Sequence, residues 1–262
     1  MLTIKDIYDY IDEIAPFSLQ ESYDNSGLII GNGKYGVTKA LIALDVTADI
    51  AWEAVKTGAE LIITHHPIIF KAVKRIDTET PLGILLANDI SVISAHTNFD
   101  SAVMNDILCE KLGLTPKEPL AVENGVPIGY ICETDKEYTA KEIAQLIKTA
   151  LGNKVVRYND FTDNDVRSEE REKITRIAVC SGSGGSFLPE VISKNCGAFI
   201  TGDVKHDVFI DGHNAGIRIF DAGHFHTENI FCDYMRKTLS EKFPETEFTV
   251  AKNNRDILNY EF

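Results

Sequence analysis

Short apolar runs that alternate with amphipathic helical patterns constrain the fold of this chain more than any other feature. The runs share a length of about four to eight residues and lie at 41–45, 61–64, 90–96, 177–182, 198–203 and 216–223. Strands buried on both faces of a parallel sheet have this appearance, and helices have to connect them. The sequence therefore predicts an α/β fold with parallel strands.

The order of elements recurs in the second half of the chain. Residues 40–66 and 176–203 both run strand, polar turn, helix, glycine-alanine and strand. Next, residues 88–100 and 215–228 both contain a strand, a small residue, a histidine, three residues and a carboxylate. Identity between the halves is low, so generic βαβ patterning is the alternative explanation. We favour an internal duplication, which predicts two related α/β lobes on either side of a cleft.

Histidine and carboxylate residues cluster where the predicted strands end. The clusters are His65-His66 in ITHHP, His96 with Asp100 in AHTNFD, and His224 with Glu228 in GHFHTE. Parallel strands present their ligands at this edge of a sheet, and residues four apart share one face of a helix. Taken singly, each cluster also fits a turn or a surface helix pair. Together they indicate a divalent-metal site.

The number of ligands suggests two ions. Five of these side chains exceed what one tetrahedral structural site uses, and none is a thiolate; the five are His65, His66, Asp100, His224 and Glu228. Carboxylates can bridge two ions about 3.5–4 Å apart in hydrolytic sites, which lower the pKa of water. Histidine and carboxylate ligands accept Zn, Fe, Mn, Ni or Co, so the sequence does not identify the metals.

Several motifs, in this order and separation, resemble those of the GTP cyclohydrolase I type 2 homologues, also called the Ngg-interacting-factor-three-like family. The motifs that carry the resemblance are SYDNSGLIIG, ALDVT, ITHHP, SAHTNFD, SGSGG, TGDVKHD and DAGHFHTE. The similarity runs nearly from end to end. The chain resembles the short form, without the domain that some members insert, so the lobes are expected at 1–122 and 123–262. One departure is Tyr23, where many members have tryptophan.

The resemblance implies a set of metal ligands, an assembly and an activity. It assigns two divalent ions to His65, His66, Asp100, His224 and Glu228, with Glu228 bridging. It implies a toroidal homohexamer whose sites face an internal cavity. The family name implies opening of the purine ring of GTP with release of formate. A phosphoesterase or amide hydrolase would use the same centre, and a non-catalytic regulator, metal chaperone or scaffold is the alternative function.

Further residues are candidates for the predicted site, each with an alternative role. His96 is a candidate general acid or base, although a weak ligand, a residue that orients a ligand, or a structural histidine fits equally. The glycines of SGSGG (181–185) fit either a tight turn or an anion-binding loop. Asp203, Lys205 and His206 of TGDVKHD either contact a small anionic or nucleotide-like substrate or form a polar loop.

Composition excludes some classes of partner. The chain has 26 basic and 40 acidic residues, and a net charge of −14 disfavours general binding of nucleic acid. The five scattered cysteines predict buried, reduced thiols. Because no segment has the length and apolar character of a membrane span or a signal peptide, a cytoplasmic protein that does not bind membranes is expected.

Overall fold

The computed structural model describes residues 1–123, 125–161 and 173–261 and is mixed α/β, which confirms the predicted class. The helices are α1 (Ile4–Ile14), α2 (Ala48–Thr57), α3 (Pro81–Ala87), α4 (Thr97–Phe99), α5 (Asn105–Lys111), α6 (Ala140–Leu151), α7 (Leu188–Ser193), α8 (His206–Ala215), α9 (His224–Glu228) and α10 (Ile230–Lys242). The strands are β1 (Gly27–Ile30), β2 (Lys39–Ala43), β3 (Leu61–Thr64), β4 (Ser91–Ser94), β5 (Pro116–Glu123), β6 (Val126–Tyr138), β7 (Arg157–Tyr158), β8 (Ile174–Val179), β9 (Ala198–Thr201), β10 (Arg218–Asp221) and β11 (Glu247–Val250).

Residue contacts divide the chain into two compact units. The first unit is Met1–Val103 with Phe231–Arg255, and the second is Met104–Ile230 with Asp256–Phe262. The stretch after residue 230 returns to the first unit because β11 pairs with β2. The lobes expected at 1–122 and 123–262 are continuous stretches of sequence, and their boundary stays a prediction.

The first unit contains a five-stranded sheet in the order β1-β4-β3-β2-β11. Its pairs are parallel except that β1 runs antiparallel to β4. Every residue of β3 and β4 is buried, as expected for strands covered on both faces. Because β3 and β4 are parallel neighbours, the residues that follow them, His65 and His96, emerge at the same edge.

The second unit contains a six-stranded sheet in the order β5-β6-β8-β9-β10-β7. Strands β8, β9 and β10 are parallel, and β7 runs antiparallel to β10, as β1 does to β4. Three parallel strands therefore recur, as the sequence repeat predicts, and in both units an antiparallel strand also lies beside the third. The carboxyl ends of β9 and β10 lead into Asp203 and His224.

The local sequence explains where several elements begin and end. Helix α1 begins at a capping box, in which the Thr3 hydroxyl accepts from the N–H of Asp6 and the Asp6 carboxylate accepts from the N–H of Thr3. Helix α2 ends at Gly58, whose φ of +69° is a left-handed conformation that glycine adopts without strain.

The sequence patterns missed some elements. Helix α8 begins at His206, for which a substrate contact and a polar loop were the alternatives, so the helix was missed. Strand β5 carries two prolines that obscured its strand pattern. The pattern KVVRY predicts a strand over 154–158, but the observed strand comprises only Arg157–Tyr158. The charged composition of residues 159–173 predicts a solvated loop. Residues 162–172 lie outside the described part, but Asn159 hydrogen-bonds to the backbone of Ile217 and Ile219 beside β10, because its amide both donates and accepts.

The composition-based expectations were met for the cysteines. All five, which lie within the described ranges, are buried and unbridged. Across residues 1–123, 125–161 and 173–261, each helix is too short or too polar to span a bilayer.

Glu53 fixes the chain segment that follows β11. Its buried carboxylate accepts from the N–H groups of Lys252 (2.7 Å) and Asn253 (3.0 Å) and from the Asn253 amide (2.8 Å). In Glu53→Gln an amide nitrogen replaces one acceptor and opposes a donor, so we expect a loss of about 1–3 kcal/mol in unfolding free energy. Chemical denaturation measures this free energy.

The control is Glu241→Gln on α10, which removes the same charge from an exposed position and should change the unfolding free energy by less than about 0.5 kcal/mol. Equal effects of the two substitutions would contradict the assignment.

Candidate metal centre

His65 is held rigidly at the end of β3. It is fully buried, and its Nδ1 donates to the carbonyl oxygen of Ala95 at 2.8 Å. The ring packs against Phe99 and Phe231, with centroid distances of 6.3 and 5.4 Å. Because a carbonyl only accepts, the proton lies on Nδ1, and Nε2 is the nitrogen that can offer a lone pair. Nε2 lies 3.4 Å from Oδ1 of Asp100.

The first unit brings three imidazoles together. The rings of His65, His66 and His96 have centroids 4.9 to 5.4 Å apart. One nitrogen from each of the three lies within 4.8 Å of the others, which is close enough for a shared metal ion. Nδ1 of His66 contacts Oδ1 of Asp45 at 2.8 Å, and Nδ1 of His96 contacts Oδ1 of Asp24 at the same distance.

Asp100 stands at the start of a π-helical turn, Asp100–Met104. Its backbone N–H donates to the carbonyl of His96 at 3.0 Å, so the predicted four-residue spacing does form one helical turn. The carboxylate, however, approaches His65. Such single π turns are common at functional sites, and here the turn joins α4 to α5.

In the second unit, His224 and Glu228 begin and end the short helix α9. Nε2 of His224 lies 2.8 Å from Oε2 of Glu228, and Nδ1 lies 2.9 Å from Oδ2 of Asp203. Both ring nitrogens therefore face carboxylates. Only an imidazolium can donate to both carboxylates. A neutral ring that donates through Nδ1 has its lone pair on Nε2, so Nε2 and the nearby Glu228 carboxylate can bind the same cation. The Glu228 side chain is only 5% exposed, and buried charges are normally paired or bound to a metal.

The glycines of SGSGG allow the chain to approach Glu228 closely. Gly182 has a φ of +59°, and a Cβ there would lie 2.1 Å from Oε1 of Glu228. The N–H groups of Ser181, Gly182 and Gly184 donate to side chains of the same unit, to Asn105, Thr227 and Thr201 respectively. These three groups are thus engaged within the protein, which favours the tight-turn interpretation over an anion-binding loop.

All four candidate histidines share one arrangement. In each, Nδ1 contacts an oxygen acceptor, and these acceptors are Ala95, Asp45, Asp24 and Asp203. Metal-binding histidines commonly have this arrangement, because the second hydrogen bond fixes the tautomer and the orientation of the ring. The sequence patterns did not point to Asp24 or Asp45. Asp45 follows β2, which lies beside β3, so its position after a neighbouring strand could have placed it close to His66.

The TGDVKHD residues have separate roles in the second unit. Asp203 reaches His224, and it does so from a φ of +51°, which is unusual for a residue other than glycine. Lys205 and His206 are exposed at the start of α8. In the first unit, Tyr23 is 64% exposed and packs edge-on against Phe70, whose ring lies 6.0 Å from that of His96.

Comparisons with known proteins agree on one family. Residues 2–256 match the family model described as Duf34/NIF3 (NGG1p interacting factor 3). A GTP cyclohydrolase 1 type 2 homolog from Clostridium perfringens is 38% identical, and the alignment covers 99% of this chain and all of the relative. A Helicobacter pylori protein named GTP cyclohydrolase 1 type 2 is 32% identical over 88% of this chain and 89% of its own length. A Bacillus cereus protein related to NIF3 shares the fold, with a TM-score of 0.88, 23% identity and 99% coverage of both chains.

Proposed function

Because the chain belongs to the Duf34/NIF3 family, we propose that it binds two divalent metal ions and uses them as a metal-dependent hydrolase. The proposed ligands are His65, His66, Asp100, His224 and Glu228, as the family resemblance implies. The observation that carries the proposal is the common arrangement of the histidines, whose Nδ1 atoms contact oxygen acceptors.

The donor atoms fit divalent transition metals. They are imidazole nitrogens and carboxylate oxygens, which suit Zn, Fe, Mn, Ni and Co, and they include no thiolate. Each unit by itself supplies at least one imidazole close to a carboxylate, at 3.4 Å for His65 and Asp100 and at 2.8 Å for His224 and Glu228. We propose that Glu228 bridges the two ions, since a buried carboxylate with two oxygens can serve both.

The residues around the proposed ligands would support hydrolysis. Bound divalent ions would polarise the bond to be broken and lower the pKa of water. His96 lies beside His65 and His66 and is not in the proposed ligand set, so its Nε2 can accept a proton from the attacking water and return it to the leaving group. The imidazole ring of His65 is held by the Ala95 carbonyl and by two phenylalanine rings, which limits movement of this ring during the reaction.

The substrate class is tested by a screen with nucleotides, pterins and phosphoesters. The relatives named GTP cyclohydrolase 1 type 2 make GTP the first nucleotide to assay. Metal analysis of the purified protein accompanies the screen, with chelated and reloaded samples as controls. Saturable hydrolysis that is lost on chelation and regained on reloading supports the proposal. Stoichiometric metal without turnover of any compound favours a regulator, metal chaperone or scaffold, and protein that binds no metal contradicts both functions.

Removal of the metal should lower thermal stability. At a free Zn²⁺ concentration about 100 times the dissociation constant, binding contributes about 2.7 kcal/mol to the folded state. For a chain of this size we expect the melting temperature to fall by roughly 5–10 °C after chelation and to recover with Zn²⁺. Mg²⁺ prefers oxygen ligands and should restore much less. A melting temperature that is the same before chelation, after chelation and after addition of Zn²⁺ would be evidence against a metal centre.

We also propose that the protein assembles as a toroidal homohexamer, which the family resemblance alone supports. Light scattering coupled to size-exclusion chromatography should give about six times the chain mass of 29.1 kDa. A monomeric mass at micromolar concentration would contradict this assembly.

A further inference from the structure

Asp24 has a carboxylate that has no part in the proposed hydrolysis. Its side chain is shielded from solvent, and its oxygens accept five hydrogen bonds. The donors are the N–H of Asn25 (2.7 Å), Nδ1 of His96 (2.8 Å), the hydroxyl of Ser26 (2.7 Å), the N–H of Thr97 (3.1 Å) and the hydroxyl of Thr97 (2.6 Å). Burial alone would raise the pKa of Asp24, but the hydrogen bonds from His96, Thr97 and Ser26 outweigh it and hold the pKa well below the usual range.

This set of donors determines the proton position on His96. Two backbone N–H groups and two hydroxyls already donate to Asp24, so the carboxylate acts as an acceptor and Nδ1 of His96 has to donate to it. The backbone N–H of His96 donates to the Ser26 hydroxyl at 3.1 Å, which fixes the residue from a second side. A neutral ring held in this way has its lone pair on Nε2.

We propose that Asp24 is a positioning residue of the site, which holds His96 with Nδ1 protonated so that Nε2 presents a lone pair beside His65 and His66. The consequence for hydrolysis rests on the proposed function, whereas the tautomer of His96 does not. Asp24 acts through His96, because the groups that donate to its carboxylate belong to Asn25, Ser26, His96 and Thr97, and none of these is a proposed ligand. The pair would direct proton transfer in the way that an oriented imidazole does in other hydrolases.

The test is ¹⁵N NMR of the histidine rings in the full chain, both metal-free and loaded with Zn²⁺. A His96→Gln sample assigns the His96 resonances. We expect wild-type His96 to carry its proton on Nδ1 in both samples. In Asp24→Ala the acceptor is lost, and we expect a substantial population with the proton on Nε2. Asp45→Ala is the matched control, since it removes the carboxylate that contacts Nδ1 of His66 and leaves the contact between Asp24 and His96 in place, so His96 should retain the wild-type tautomer.

Zn²⁺ content and kinetics separate positioning from loss of structure. Zn²⁺ content of Asp24→Ala should equal that of wild type. Where the screen finds a substrate, kcat should fall about 10- to 100-fold with KM within about twofold. A proton on Nε2 in wild type would overturn the proposal even if Asp24→Ala does not fold. The same tautomer shift of His96 in Asp45→Ala would also overturn it. Wild-type protein without metal or turnover would instead refute the proposed function and leave the tautomer result standing.

Discussion

Glu228→Ala will lower the affinity for Zn²⁺ by at least about 100-fold and abolish metal-dependent turnover. Loss of residues that merely orient a ligand costs about 10- to 100-fold in affinity, and loss of a bridging carboxylate should exceed this. Glu228 is buried and lies 2.8 Å from Nε2 of His224, so solvent cannot easily replace its oxygens. Competition titration with a chromophoric chelator measures the affinity, and metal analysis of the purified variant gives the stoichiometry.

The control for this substitution is Glu110→Ala, which removes an exposed carboxylate from α5. It should bind Zn²⁺ as wild type does. Circular dichroism of both variants after chelation checks that the fold is retained. Unchanged stoichiometry and unchanged turnover in Glu228→Ala would rule out Glu228 as a ligand.

Gly182→Ala should displace the Glu228 carboxylate without removing it. The added Cβ would lie 2.1 Å from Oε1, and the flexible end of the glutamate side chain is what has to move. We therefore expect folded protein whose Zn²⁺ affinity is about 10- to 100-fold weaker. The φ of +59° adds about 1–2 kcal/mol of backbone strain, which lowers the unfolding free energy.

Gly152→Ala separates the strain from the displacement. Gly152 ends α6 with a φ of +72°, and a Cβ there would meet no atom within 4 Å. This variant should lose about the same 1–2 kcal/mol of stability and keep the wild-type Zn²⁺ affinity. If both alanine variants lose affinity equally, strain rather than displacement of Glu228 is responsible.

Helices with strong local signals were predictable from the sequence. The capping boxes before α1 and α6, and the glycines after α2 and α6, fix those boundaries through hydrogen bonds between near neighbours in the chain. Helix α8 was missed because its N-cap Lys205 and its first residues, His206 and Asp207, are polar and exposed, and because Gly212 interrupts its apolar pattern. Gly212 packs closely against Ile219, since a Cβ there would lie 2.3 Å from the end of that side chain.

The α/β class and the position of histidines and carboxylates after strands follow from the amino-acid pattern, because apolar runs and spacings are local properties. The oxygen atoms that orient those histidines come from distant parts of the chain and are visible only in the folded protein. Asp24 is 72 residues from His96, and Asp203 is 21 residues from His224. Such partners meet because separate strands and turns end at one edge of a sheet. Their pairing depends on the packing of the whole unit, which no short sequence window contains.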